Sequence, residues 1–229
     1  MRVGVTLPTF RADTAALAAA RRAEELGLDG VFVFDHLWPL GAPERPALSA
    51  FPVLGAVAAT TRTVCFGPLV ARIGLVPVEV LVGELLSLDR MAPGRLIAGL
   101  GTGDSQSAAE NLAFGIPYAP PDDRRSALRA CAAQVLGAGV PVWVGGGTRT
   151  TTELAVELGA AVNLWDGQPA AVAGLQPRCD VTWAGPVAGD TPRIARWLRE
   201  VETAGATWAV CAWPESLEAV AEAADFVRG

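Results

Sequence analysis

Runs of consecutive apolar residues alternate along the chain with segments in which apolar residues recur every three or four positions. The first pattern is typical of strands buried on both faces, and the second of helices that cover a sheet. The predicted strands are residues 2–8, 31–34, 64–71, 95–101, 141–145, 161–165, 179–183 and 207–212. After a first helix that Asp13 or Thr14 caps and Gly27 ends, the predicted helices are residues 48–60, 78–88, 107–114, 123–136, 151–158, 169–175, 191–204 and 214–227.

This alternation of strands and helices predicts an α/β fold: one closed (β/α)8 barrel, a TIM barrel with trimmed loops, forming a single domain over residues 1–229. The predicted connections are short, and no linker or low-complexity tract divides the chain. A doubly wound open sheet is the alternative that the same alternation allows. In both topologies the carboxyl ends of the parallel strands gather at one edge, where such folds place their chemistry.

An Asp-His pair follows the second predicted strand directly. Residues 31–34 are apolar and lead into Asp35 and His36, and His36 is the only histidine of the protein. An imidazole at the end of a buried strand is suited to proton transfer near neutral pH. We expect Asp35 or a nearby carbonyl to orient it. A histidine that only holds a loop in place is the alternative.

A glycine-rich turn with an acidic residue follows the fourth predicted strand. It consists of Gly101, Thr102, Gly103 and Asp104, and its spacing differs from that of a dinucleotide fingerprint. The glycines would let a ligand lie against the backbone. The Asp104 carboxylate is a candidate acid or base, and a helix-capping aspartate is the alternative for this position.

The best candidate for phosphate binding follows the fifth predicted strand and comprises Gly145, Gly146, Gly147, Thr148 and Arg149. Glycines let the backbone approach an anion closely, and the N-terminus of the next helix offers unpaired N–H groups and a positive dipole. We predict a capping box from Thr150 to Glu153 at the start of that helix. The Thr148 hydroxyl and the Arg149 guanidinium add further donors. A tight turn that requires glycine is the alternative.

Aromatic side chains are expected at the same edge, at Phe10, Trp165, Trp183 and Trp213. Together with the aspartates and the histidine they suggest a wide pocket for a flat organic molecule, without a set of metal ligands. Core packing is the alternative for each tryptophan.

The composition excludes several chemistries. All eighteen basic residues are arginines, which excludes a Schiff-base aldolase, a pyridoxal-phosphate enzyme and a lysine-bearing phosphate loop. One histidine cannot build a multi-histidine metal site. The net charge of −6 and the scattered arginines argue against a nucleic-acid surface, and no segment has the pattern of a membrane span. Four widely spaced cysteines and the lack of a signal-peptide pattern predict a cytoplasmic protein with reduced thiols.

Several stretches, taken in order, resemble the luciferase-like flavin and deazaflavin oxidoreductases. They are residues 4–10, 23–30, 35–36, 56–62 with the third strand, 87–90, 94–95, 99–104, 142–147 and 189–192. The resemblance implies a barrel that binds FMN or coenzyme F420 at its mouth, usually as a homodimer.

The resemblance also implies roles for individual positions. In the deazaflavin members, the residues that match Asp35 and His36 lie beside the cofactor ring. The residues that match Leu69 and Val70 often carry a non-proline cis peptide pressed against that ring.

Two glycine-containing segments have implied roles as well. The match to residues 101–104 flanks the ring, with an acidic side chain near the reacting carbon. The match to residues 145–147 holds the cofactor phosphate.

The leading hypothesis is therefore an enzyme that transfers a hydride from reduced F420 to an unsaturated small organic substrate. His36 would donate the proton, and Asp104 is the second candidate acid. The alternatives are an FMN-dependent monooxygenase, a catalytically silent flavin-binding or scaffold protein, and a glycosidase that uses two of Asp35, Asp104 and Asp166. The chain departs from the family by its shortened loops and by lacking the lysines of sugar-phosphate-using members, which argues against such a substrate.

Overall fold

The structure, a computed structural model, describes residues 1–10, 15–39, 42–43, 45, 47–176, 178–212 and 214–229. Its strands are β1 (Arg2–Thr6), β2 (Gly30–Val33), β3 (Cys65–Pro68), β4 (Ala71–Arg72), β5 (Ala98–Gly101), β6 (Val142–Gly145), β7 (Ala161–Trp165), β8 (Val181–Pro186) and β9 (Ala206–Ala212). Its helices are α1 (Ala15–Glu25), α2 (Ala50–Thr60), α3 (Val78–Met91), α4 (Ser105–Ala113), α5 (Pro121–Gly137), α6 (Arg149–Leu158), α7 (Pro169–Leu175), α8 (Thr191–Thr203) and α9 (Leu217–Arg228). Asp13, Thr14 and Trp213 lie outside the described residues, and so does the predicted cap of α1. No helix within these ranges is both long and apolar enough to span a membrane.

The strands form a closed barrel. Neighbouring strands pair in parallel, and their order is β3-β2-β1-β9-β8-β7-β6-β5-β4. The barrel closes at a seam between β3 and the residues that precede β5. The amide of Phe66 donates to the carbonyl of Arg95, and the carbonyl of Phe66 accepts from the amide of Ile97, both at 2.9 Å. The seam confirms the predicted (β/α)8 barrel and overturns the open-sheet alternative.

The third predicted strand is interrupted. β3 pairs with β2, whereas β4 pairs with β5, and Leu69 and Val70 form a bend between them. The peptide bond between these two residues is cis, as the resemblance implies. One strand position of the barrel therefore contains two short strands.

Large aromatic side chains fill the barrel interior. Phe32 stacks on Trp143 with ring centroids 5.1 Å apart. Trp208 meets both rings in an edge-to-face arrangement, at 5.9 Å from Phe32 and 5.4 Å from Trp143. A larger apolar layer lies between the strands and the helices. Because the interior is packed, a ligand has to bind at the mouth of the barrel.

Trp183 is part of the layer between the strands and the helices. Its side chain is fully buried, its indole Nε1 donates to the carbonyl of Gly167 at 2.8 Å, and its ring lies 5.7 Å from that of Trp197. The prediction that Trp183 lines the mouth is wrong, because β8 extends to Pro186 and position 183 lies within the strand.

Candidate active site

The predicted site residues lie at one end of the barrel. Asp35 and His36 follow β2, Leu69 and Val70 lie between β3 and β4, residues 102–104 follow β5, and residues 146–148 follow β6. Because the strands are parallel, these carboxyl ends open on the same face. The structure thus brings the histidine and the glycine loop to one mouth, as a shared ligand requires.

His36 is held by Glu110, a residue of α4 that sequence reasoning missed. The Nδ1 atom of His36 lies 3.1 Å from Oε2 of Glu110, and the same oxygen accepts a hydrogen bond from Nη1 of Arg72. The other oxygen accepts from the backbone amides of Leu37 and Trp38, the latter at 3.0 Å. The side chains of Glu110 and Arg72 are 1% and 4% exposed, but that of His36 is 20% exposed. His36 is therefore the member of this network that a ligand can reach.

The surroundings of Glu110 keep it ionised. Burial opposes the negative charge, but the hydrogen bonds from His36 and Arg72 and the positive charge of Arg72 outweigh it and lower the pKa of Glu110 to about 2. At neutral pH, Glu110 is a carboxylate that balances the buried guanidinium of Arg72.

Asp35 contacts β4. Its Oδ2 accepts a hydrogen bond from the backbone amide of Arg72 at 2.9 Å. Burial raises the pKa of Asp35, although the amide and the charge of Arg72 favour its ionised form. The partner expected for His36 is thus replaced by Glu110, because the Asp35 carboxylate is engaged by the backbone amide of Arg72 in β4. A catalytic role of Asp35 stays a prediction.

The buried face of α4 is polar, which places Glu110 at the mouth. Ser107, Glu110 and Asn111 are 3%, 1% and 1% exposed, whereas Leu112 and Phe114 are 79% and 53% exposed. This pattern is the reverse of that of an ordinary surface helix. A short helix with this reversed pattern, directly after a predicted strand, is the sequence signal that would have identified Glu110.

Asp104 caps α4. Its Oδ1 accepts hydrogen bonds from the amide and the hydroxyl of Ser107, both at 3.0 Å, and the hydroxyl of Ser107 accepts from the Asp104 amide at 3.2 Å. Partial burial acts to raise the pKa of Asp104, but the hydrogen bonds from Ser107 outweigh it, so the pKa is lowered. The capping alternative is confirmed, and the proposal that Asp104 donates a proton has less support than the one for His36.

Side chains of α5 and the preceding loop fix the turn at residues 102–104. Nε of Arg124 donates to the carbonyl of Thr102 at 2.8 Å, and the hydroxyl of Tyr118 donates to the carbonyl of Asp104 at 2.6 Å. The Arg124 guanidinium also lies over the Tyr118 ring, 4.0 Å from its centroid. The turn is therefore held in one position beside the network of His36 and Glu110.

Val70 packs against two glycines of the predicted site. A Cβ atom at Gly101 would stand 2.4 Å from Cγ2 of Val70, and one at Gly145 would stand 3.0 Å from both of its γ carbons. A side chain at Gly101 would therefore displace Val70, and one at Gly145 would press against it. Leu69 is 5% exposed and belongs to the apolar cluster inside the barrel that contains Phe32 and Trp143. Of these two residues, half-buried Val70 is the one that is partly accessible.

The glycine loop leads into α6. Gly146 has a φ of 118°, in the region that favours glycine. Oγ1 of Thr148 accepts from the amide of Thr151 at 3.3 Å, so Thr148 is the N-cap. The predicted capping box at Thr150 is wrong, because the first hydroxyl after the glycines already caps the helix.

Arg149 lies on the outer surface of α6. Its side chain is 89% exposed, and its Nε donates to Oε1 of Glu153 at 2.7 Å. This ion pair between adjacent helical turns accounts for the guanidinium. The predicted contact between Arg149 and a phosphate gains no support from this geometry, so the backbone of residues 145–148 is the remaining anion-binding candidate.

An aromatic wall, formed by Phe10, Phe34 and Trp165, stands next to His36. The rings of Phe10 and Phe34 stack with centroids 5.7 Å apart, and Trp165 meets Phe34 edge-on at 5.6 Å. The Phe10 ring lies 6.2 Å from the imidazole of His36. Trp165 is 45% exposed. The mouth therefore combines an imidazole with a flat apolar surface.

The chain is similar to named proteins. It is 36% identical over 137 residues to an F420-dependent glucose-6-phosphate dehydrogenase of Beutenbergia cavernae, a match that covers 57% of this chain and 39% of the relative. The chain thus matches about two fifths of the length of that curated relative.

Solved structures share the fold. A structure of an F420-dependent secondary alcohol dehydrogenase, in complex with an F420-acetone adduct, matches with a TM-score of 0.85 at 14% identity and covers 100% of this chain and 99% of that one. A coenzyme F420-dependent tetrahydromethanopterin reductase from Methanopyrus kandleri matches with a TM-score of 0.76 at 14% identity, over 97% and 96% of the two chains. A family model described as luciferase-like monooxygenase matches residues 1–133, more than half of the chain. The protein belongs to the luciferase-like monooxygenase family.

Proposed function

We propose that this protein is an oxidoreductase that binds coenzyme F420 at the barrel mouth and transfers a hydride between this deazaflavin and a small organic substrate. The observation that carries the proposal is His36, a partly exposed imidazole held by a buried carboxylate beside the aromatic wall. The relative from Beutenbergia cavernae, which is named for its dependence on F420, supports the choice of cofactor.

The residues at the mouth fit a flat cofactor with an anionic tail. The aromatic wall and Val70 offer apolar surfaces for a ring. Residues 145–147 carry no side chains, and the first-turn amides of α6 have no carbonyl partner within the helix. The hydroxyls of Thr9 and Thr152 are buried and have no hydrogen-bond partner among the described residues. Thr9 follows the carboxyl end of β1, so its hydroxyl remains for a ligand at this end of the barrel, whereas Thr152 lies within α6.

The side chains at the mouth have different roles in the proposed reaction. A bound deazaflavin supplies a ring carbon that accepts or releases a hydride. His36 exchanges the proton with the substrate, while Glu110 and Arg72 hold its ring. Val70 and the aromatic wall exclude water from the reacting atoms. Asp104 is the second candidate for the proton.

The substrate we propose is an uncharged, electron-poor unsaturated compound. The chain has no lysine to hold a sugar phosphate. The rim beside His36 is apolar: the rings of Trp38 and Phe114 lie 5.5 Å apart, and the neighbouring Leu112 is 79% exposed. Such a rim favours a substrate that is bound by apolar contact.

Cofactor binding tests the first part of this proposal. The purified protein is incubated separately with F420 and with FMN, desalted, and examined by absorbance spectroscopy. We expect F420 to be retained. Retention of FMN alone would favour the monooxygenase alternative, and retention of neither would overturn the proposal. Arg149→Ala serves as a control that should retain F420, because this side chain is exposed and paired with Glu153.

Turnover tests the second part. Reduced F420 is mixed with a panel of electron-poor alkenes, and the return of oxidised cofactor is followed by its absorbance. We expect at least one member of the panel to be reduced at a rate that depends on the enzyme concentration. Tight binding of F420 without consumption of any acceptor would favour a silent cofactor-binding protein.

A further inference from the structure

We infer that Glu110, together with Arg72, fixes the tautomer of His36, so that Nδ1 carries the ring proton and Nε2 is the atom that exchanges a proton with the substrate. Glu110 and Arg72 are then positioning residues. The role of Nε2 rests on the proposed hydride transfer, whereas the tautomer rests on the contacts of Glu110 alone.

The contacts of Glu110 require it to accept hydrogen bonds on both oxygens. Its Oε1 accepts from the backbone amides of Leu37 and Trp38, and its Oε2 accepts from Nη1 of Arg72. These three groups can only donate. His36 Nδ1 lies 3.1 Å from Oε2, so a hydrogen bond at this contact needs a proton on Nδ1. The lowered pKa of Glu110 agrees, since a carboxylate has no proton to offer at neutral pH.

Arg72 holds the carboxylate from the side of β4. Its side chain is 4% exposed, and a Cβ atom at Gly103 would stand 3.0 Å from its Cδ, so the turn at residues 102–104 packs against it. Neither Arg72 nor Glu110 is exposed enough to touch a substrate. Their effect reaches the reaction through the imidazole of His36.

With this tautomer fixed, Nε2 can both accept a proton from the substrate and donate one to it. In the neutral imidazole with a proton on Nδ1, Nε2 has a free lone pair that can take a proton from a substrate. In the imidazolium form, Nε2 carries the proton and can donate it to the substrate when the reaction runs in reverse. The opposite tautomer of the neutral ring would offer the substrate an N–H group that cannot accept a proton.

The tautomer can be measured directly, because His36 is the only histidine. In protein labelled with ¹⁵N and carrying no histidine tag, a long-range proton–nitrogen correlation spectrum at alkaline pH contains signals from one imidazole. We expect the signature of protonated Nδ1 and unprotonated Nε2, without any cofactor. A spectrum dominated by the form with the proton on Nε2 would overturn the inference.

Glu110→Gln tests the source of the effect. The amide oxygen of glutamine can keep the hydrogen bonds from Leu37 and Trp38, which places its NH₂ group where Oε2 was. That group donates to Nδ1, so the neutral ring should change to the tautomer with the proton on Nε2. Asp35→Asn is the matched control, and its tautomer should remain that of the wild type, because Asp35 accepts from the Arg72 backbone. Retention of the wild-type tautomer in Glu110→Gln would overturn the inference; if this variant does not fold, the wild-type spectrum decides alone.

Kinetics with F420 give a readout that a merely structural role would not produce. We expect Glu110→Gln to lower kcat by about 10²-fold or more, with KM almost unchanged, because proton transfer fails while substrate contacts stay. Glu157→Gln, an exposed change on α6, should keep wild-type kinetics. Normal kcat in folded Glu110→Gln would refute the positioning role without affecting the proposed cofactor. Failure of the wild type to use F420 would refute the proposed function and leave the spectrum as the test of the tautomer.

Discussion

Arg72→Met and Glu110→Gln, made singly and together, form a double-mutant cycle on the buried ion pair. Because both side chains are almost fully buried, removing one partner should cost about 3–5 kcal/mol of unfolding free energy. The pKa of Glu110 leads to a similar figure: a decrease from 4.5 to about 2, at about 1.4 kcal/mol per pKa unit, corresponds to about 3 kcal/mol. His36 and the Trp38 amide contribute part of it.

The two single substitutions should lower the unfolding free energy by different amounts. Nε and Nη2 of Arg72 are buried and have no hydrogen-bond partner within the described part of the chain. Glu110→Gln leaves this buried guanidinium without its ion-pair partner, whereas Arg72→Met leaves Glu110 with its bonds from His36 and the backbone. We therefore expect Glu110→Gln to be the more destabilising of the two.

Urea unfolding of the four proteins at neutral pH, without cofactor, measures the coupling. The double variant should lose about 2 kcal/mol less than the sum of the single losses, because neither charge is left without its partner. The exposed pair Arg129–Glu157, with side chains 49% and 56% exposed, is the matched control and should show less than about 1 kcal/mol of coupling. Additive losses at the buried pair would refute this account of the site.

Four other perturbations have defined outcomes. His36→Ala should lower turnover by about 10²–10⁴-fold and leave retention of F420 after desalting intact, and wild-type turnover would remove His36 from the reaction. Gly67→Ala should lower the unfolding free energy in urea by about 1–3 kcal/mol or more, because its Cβ would stand 1.8 Å from the carbonyl oxygen of Ile97 at the barrel seam. Gly55→Ala in α2, where a Cβ atom meets nothing within 4 Å, should be neutral or stabilising. Folding lowers the pKa of Glu110, so its contribution to the unfolding free energy should be complete above pH 4.5 and be lost as the pH falls towards about 2. In an acid titration of stability, Glu110→Gln should not show this loss.

The barrel and the end of it that carries the site could be predicted from the sequence, because both depend on local patterns. Short apolar runs bounded by glycine, proline and charged residues specify strands, and the predicted strand 161–165 and helix 169–175 match β7 and α7 residue for residue. Once the strands are parallel, the positions of His36 and Gly146 at one mouth follow from topology.

The partner of His36 could not be predicted in this way. The contact between His36 and Glu110 joins residues 74 positions apart, and it depends on which face α4 presents to the mouth. Hydrophobic periodicity identifies buried faces by their apolar residues, so a helix whose buried face is polar escapes it. The orientation of Arg149 could not be predicted either. Thr148 caps α6, so the helix begins at Arg149, two residues earlier than predicted, and Arg149 lies on its outer surface.

The interruption of the third strand explains how Arg72 reaches Glu110. Successive side chains of a regular strand alternate between its two faces. Leu69 and Val70 both pack inside the barrel, in the apolar cluster that contains Phe32 and Trp143. Ala71 instead belongs to the apolar layer between the strands and the helices. The bend therefore shifts the alternation by one residue, and Arg72 falls on the inner side, where it meets Glu110. A continuous strand with Leu69 inside would direct Arg72 towards the helices and away from the carboxylate. The split strand is thus part of the site, because it decides which side chain of β4 holds Glu110 and, through Glu110, how His36 is held.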